Sequence, residues 1–123
     1  MKLVNRIGSM LVLIGIIGCG GENGGNTSLI GMDAGDVFTP KSFSASVGDR
    51  VSWLNRDVDT HSVTFDTNSA GPNSPDLSTG GEYSWVVPNV PSGTKIFYHC
   101  RFHGAAGDGT TFGTGMVGVV TVK

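Results

Sequence analysis

The sequence predicts an all-β chain folded as a Greek-key sandwich of two sheets. Apolar and β-branched residues come in short runs, and Gly, Pro, Asn and Asp break the chain between them at intervals suited to strands. No stretch shows a convincing apolar period of 3.6 residues, so long amphipathic helices are not expected. Several short strands in about a hundred residues favour a sandwich over an α/β unit.

Taken in order, the chain opens with Lys2 and Arg6, an apolar run from Met10 to Ile17, and the tetrapeptide IIGC. A basic head before an apolar stretch too short to span a bilayer of ~30 Å is the pattern of an export signal over residues 1–18. The IIGC ending resembles the cleavage and lipidation box of prokaryotic lipoproteins, which implies Cys19 as the first mature, lipid-bearing residue. Residues 19–28 then read as a flexible Gly/Asn-rich tether, and 29–123 as one domain with one core.

Within that domain, strands are expected at 29–32, 43–47, 50–55, 62–65, 82–87, 94–99 and 117–122. In RVSWLN the alternation sets Val51 and Trp53 on one face, with Trp53 in the core, and Arg50, Ser52 and Leu54 on the other. Trp85 is harder to place, because its strand is short and ends at Pro88. The segment 66–81, DTNSAGPNSPDLSTGG, contains a single leucine and has no strand pattern. It reads as an excursion at the sandwich edge or a mobile loop, without chemistry of its own.

The whole chain carries 8 Lys and Arg against 10 Asp and Glu. Removal of residues 1–18 takes away Lys2 and Arg6, leaving a mildly acidic domain with no basic stripe. A nucleic-acid partner is therefore not expected, whereas a protein with a basic docking face is compatible. Cys100 is the only thiol of the folded part, so no disulfide can form within it. A lone thiol in an exported protein is a hazard unless something occupies it, and the Cys-x2-His spacing to His103 nominates a metal.

With His61 in THSVTF and Met116 opening the final apolar run, the chain offers one thiolate, two imidazoles and one thioether. Soft sulfur ligands select copper, and imidazole suits both of its oxidation states. Cys100 is expected to close its strand, His103 to lie in the loop just after it, Met116 to begin the next strand, and His61 to follow the polar turn NRDVDT. Competing readings are an inert buried thiol for Cys100, an exposed turn residue for His61 and a core filler for Met116. His99 neighbours Cys100 on a strand and faces the other way, which suggests a surface or inter-loop position. Its alternative, a metal ligand shared between subunits, is limited by there being only 3 histidines.

From residue 36 onward the chain resembles the cupredoxin family, in particular its plastocyanin- and halocyanin-like members. The segments that carry the likeness are DVFTPKSFSASVGDRVSWLNRD, DTHSVTF, GTKIFYHCRFHG and GMVGVVTV. The resemblance implies a blue, type 1 copper ion held by His61, Cys100 and His103, with Met116 on the axis. It also implies a monomeric carrier rather than an enzyme, in the periplasm or on the cell surface, shuttling single electrons between larger redox proteins. The electron would leave through His103, whose rim of Phe102, Ala105 and Ala106 reads as uncharged. A copper chaperone or storage module, or a small copper enzyme with an open coordination position, stand as alternatives on the same fold.

Two features depart from the family pattern. The segment GAAGDGTTFGTG separates His103 from Met116, where the family usually has about four residues. An outward bulge is expected there, with Asp108 or a backbone carbonyl as rivals for the axial place. Ser62 stands where the family commonly has Asn after the first histidine, so a hydrogen bond between the two ligand segments should be shorter or lost.

Overall fold

The structure, a computed structural model, describes residues 25–67 and 70–123. The expected export signal and Cys19 lie outside the described residues. Eight strands follow in order: β1 Thr27–Asp33, β2 Val37–Thr39, β3 Ser42–Ala45, β4 Arg50–Asn55, β5 Thr64–Phe65, β6 Glu82–Val86, β7 Lys95–Ala105 and β8 Thr114–Val122. They form two four-stranded mixed sheets, β2-β1-β4-β6 and β3-β8-β7-β5, so the all-β sandwich read from the sequence is the observed architecture.

In the first sheet β1 runs parallel to β4, from Thr27 beside Arg50 to Met32 beside Asn55. Asn26 joins the same edge, accepting from Arg50 N–H at 2.8 Å and donating its own N–H to Asp49 Oδ1 at 3.0 Å. Thr27 and Ser28 are thus strand residues rather than the end of a tether. β2 was not expected, because three residues with only Phe38 buried give too short an alternation to register. The chain passes from the first sheet to the second through the cis Thr39–Pro40 bond, and β3 then pairs parallel with β8.

The core gathers around Trp53, which is fully buried. Its ring meets Tyr98 at 5.2 Å, Trp85 at 6.0 Å, Tyr83 at 6.1 Å and Phe65 at 6.4 Å between centroids. Trp85 is buried as well, and its indole N–H donates to Ala70 O at 2.8 Å, pinning Ala70 onto the first sheet. Burial pushes the Tyr98 hydroxyl above its ordinary pKa. Its ring fills the space that a side chain at position 118 would need, since a Cβ there would lie 2.4 Å from the phenol oxygen. Aromatic pairs in such edge and tilted arrangements add about 0.5–1.5 kcal/mol each beyond area burial. That rigid centre is what holds the strand ends still.

β7 and β8 differ most from expectation. Both extend beyond the sandwich as a hairpin, with Gly104 paired to Gly115 and Ala105 to Thr114. The pairing slips between His99 and Gly104, so Cys100 through His103 occupy a bulge within β7 instead of a loop after it. A bulge bends the strand and re-aims its side chains, which is why Cys100 and His103 can converge.

Candidate metal centre

Three of the four expected ligands, His61, Cys100 and His103, come together. One ligand atom from each of His61, Cys100 and His103 lies within 4.8 Å of the others. Cys100 Sγ is 3.7 Å from His61 Nδ1 and 3.7 Å from His103 Nδ1. Bonds of about 2.3 Å to sulfur and about 2.0 Å to nitrogen, usual for a first-row divalent metal, place S and N ~3.7 Å apart at 120° and ~3.5 Å apart at a tetrahedral angle. The 3.7 Å spacing lies in this range and suits a sulfur and a nitrogen bound to one copper ion. Thiolate plus two imidazoles is also the donor set that selects it.

The first ligand is fixed by backbone contacts. His61 is fully buried and forms an isolated bridge with Leu77, its N–H donating to Leu77 O at 3.0 Å and its O accepting from Leu77 N–H at 2.8 Å. Val63 N–H donates to Ser74 Oγ at 2.8 Å and Phe65 N–H to Asn73 Oδ1 at 2.9 Å. Residues 70–81, part of the segment read above as without chemistry of its own, are thus a strap over the first ligand, and Leu77 is its buried anchor. Sequence reading missed it because one leucine in a polar stretch gives no period.

The hydrogen bond expected to be shorter or lost at Ser62 is present. Ser62 is fully buried, and its Oγ accepts from Arg101 N–H at 3.0 Å, tying the residue after Cys100 to the residue after His61. Serine is short, but the bulge brings the two segments within its reach.

Asp57 was not singled out either. Its side chain is 7% exposed, and Oδ2 lies 2.9 Å from His61 Nε2. The hydrogen bond from His61, and then that from Val58 N–H, hold this carboxyl below the usual carboxylate range. A carboxylate only accepts, so Nε2 carries the proton and Nδ1 keeps its lone pair toward Cys100. Read in sequence, Asp57 is an ordinary turn residue.

Of the remaining sites, Met116 is buried on β8, with its backbone packed against Gly104, where a Cβ would lie 2.5 Å from Met116 O. Asp108 is exposed and caps its own loop, its Oδ1 accepting from the N–H and Oγ1 groups of Thr110 and Thr111 at 2.8–3.1 Å. Those bonds, that of the Thr110 N–H first, pull its pKa down to about 2. It stands in none of the metal-ligating clusters among the described residues, so the structure gives the axial rival a structural task. The 104–115 segment does not simply bulge: it starts and ends in paired strand, and Gly107 N–H donates to Asp66 Oδ2 at 2.9 Å.

His99 is inter-loop and buried rather than on the surface. Its Nδ1 lies 2.8 Å from Asp66 Oδ1, on the carboxylate that also holds Gly107. His103 is partly exposed, and Phe102, Ala105 and Ala106 are exposed around it. The rim is not uncharged, however, because carboxylate oxygens of Asp36 and Asp59 lie within 4.8 Å of a His103 ring nitrogen. Arg101 is occupied elsewhere, over the Phe102 ring and paired with Asp76.

A β-sandwich that sets one buried cysteine within a metal ion's reach of two histidines defines a class of small copper-binding proteins. No family model matches the chain. In sequence it is 32% identical over 98 residues to plastocyanin A/B of Petroselinum crispum, covering 74% of this chain and 92% of that protein. It is 34% identical over 105 residues to plastocyanin B'/B'' of Nicotiana tabacum, covering 77% and 97%. The plastocyanin of Prochlorothrix hollandica is 36% identical over 93 residues, 71% of this chain, and the match spans 63% of that protein. Among solved structures, a Cu(I) form of an amicyanin variant matches with a TM-score of 0.62 at 22% identity, over 80% of this chain and 83% of the other. A purple cupredoxin from Nitrosopumilus maritimus matches with a TM-score of 0.57 at 22% identity, over 78% and 99%. The chain belongs to the cupredoxin family of copper proteins and is related to the plastocyanins.

Proposed function

We propose that this protein is a single-electron carrier with one type 1 copper centre held by His61, Cys100 and His103, and with Met116 as the axial ligand. The observation that carries the proposal is the pair of equal 3.7 Å distances from a buried thiol to two imidazole nitrogens. Bound copper supplies a Cu(II)/Cu(I) couple. The protein supplies rigidity: the bridge to Leu77 fixes His61, and the Ser62 bond fixes the turn after Cys100. Full burial of His61 and Cys100 excludes water, and ligands that stay put keep the reorganisation on electron transfer small.

His103 is the exit, since among the three ligands it alone is partly exposed. Phe102, Ala105 and Ala106 give a partner a close approach, and Asp36 and Asp59 favour one with a basic docking face. The partners are larger redox proteins outside the cytoplasmic membrane, reached by a monomer tethered through lipid on Cys19.

Copper titration tests the function. The loaded protein should show an intense visible thiolate-to-copper band that bleaches on one-electron reduction, and Cys100→Ser should lose it together with most of the copper affinity. A colourless copper-loaded protein refutes the carrier. A spectrum strongly changed by azide would instead point to an open position and a small copper enzyme.

A further inference from the structure

The mildly acidic rim of the site contains three aspartates, and they differ in kind. Asp36 has a side chain 40% exposed and Asp59 is exposed, so water solvates both charges. Asp57 has a side chain 7% exposed and directs Oδ2 at the distal nitrogen of His61, 2.9 Å away.

Its position is over-determined. Oδ1 accepts from Val58 N–H at 2.7 Å, Asp57 N–H donates to Asn55 Oδ1 at 2.8 Å, and Thr79 Oγ1 donates to Asp57 O at 2.6 Å. Asn55, itself fully buried, donates through Nδ2 to Asp59 O and Leu77 O, each at 2.8 Å. The backbone of Asp57 is therefore held by the same strap that holds the backbone of His61, and Val58 N–H fixes its carboxylate. A buried negative charge has little solvent to screen it, and a charge that close to a ligand acts on the metal behind the ring.

We propose that Asp57 is a positioning residue for the copper centre, locking His61 with Nδ1 free and Nε2 protonated and biasing the bound ion toward Cu(II). The inference rests on the copper reading above. In the redox step one electron from an external one-electron donor reduces Cu(II) to Cu(I), while Asp57 stays ionised and the Nε2 proton stays on His61. Counting the ion, the Cys100 thiolate and Asp57, the charge goes from zero to minus one; without Asp57 it would go from plus one to zero. Adding the electron is therefore harder with the carboxylate present, and the reduction potential is lower.

Asp57→Asn tests this, because an amide oxygen can still accept from Nε2–H while the charge is gone. The variant should keep the visible band and the electron paramagnetic resonance signature. Its preference for Cu(II) over Cu(I) should fall at least tenfold, which for a one-electron couple is a potential raised by about 59 mV. An unchanged potential with an intact band overturns the charge effect. Should the variant not fold, the wild-type protein loaded with zinc decides by nuclear magnetic resonance. A single downfield, slowly exchanging Nε2–H on His61 supports the lock, and a rapidly exchanging one overturns it. A wild-type protein without the visible band would sink the carrier reading and with it the Cu(II) bias, while the His61 lock stands or falls on the zinc experiment, which does not depend on copper.

Discussion

Replacing Ser62 by alanine would remove a single oxygen that lies between two ligand segments. Its Oγ receives Arg101 N–H at 3.0 Å and meets Thr64 Oγ1 at 3.0 Å. Alanine leaves that N–H without a partner, and an unpaired backbone donor costs about 1–3 kcal/mol depending on its burial. Ser62 is fully buried but the side chain of Arg101 is exposed, which places the cost at about 1–2 kcal/mol, the lower part of that range. For a domain of this size each kcal/mol lowers Tm by about 4–8 °C, so a fall of roughly 5–15 °C is expected. Differential scanning calorimetry on the metal-free protein reads it without interference from copper. Thr64→Val is the control, because it removes a hydroxyl of the same pair but leaves the acceptor of Arg101 in place. An unchanged Tm in Ser62→Ala, or an equal loss in Thr64→Val, would show that the tie to Arg101 contributes nothing.

Two further outcomes are expected. Met116→Leu should retain the visible band and raise the reduction potential by about 59 mV or more, because loss of a weak axial donor favours the cuprous ion; cyclic voltammetry with copper occupancy confirmed checks it, and an unshifted potential removes the thioether from the site. Mass spectrometry of protein from its native host should find an acylated Cys19 as the first residue, and an unmodified Cys19 or an intact Met1 start would defeat the tether.

The parts of this molecule that were legible in the sequence are those written in local pattern. RVSWLN alternates, and β4 covers the expected six residues with Trp53 buried as expected. The Cys-x2-His spacing and a distant His predicted a cluster that the fold assembles. What could not be read depends on pairing across the chain. Leu77 clamps His61 from sixteen residues away, and Asp66 holds both His99 and Gly107, which follow it by thirty-three and forty-one residues. Asp57 hides for a different reason. A carboxylate in a polar turn is usually solvated, whereas this one faces His61 and has its backbone carbonyl held by Thr79 of the strap.

The parallel pairing of β1 with β4 also fixes a direction. Thr27 starts beside Arg50 and Met32 ends beside Asn55, from which the chain turns toward His61. Seven residues of strand at ~3.3 Å each span roughly 20 Å, so residue 25 enters about a strand's length from the end of β1 that leads toward the His61 side. Any mooring upstream of it grips the base of the sandwich and leaves the copper tip as the free end. If the proposed tether holds it there, swinging would sweep the tip through an arc, so the proposed carrier would reach partners standing side by side around it.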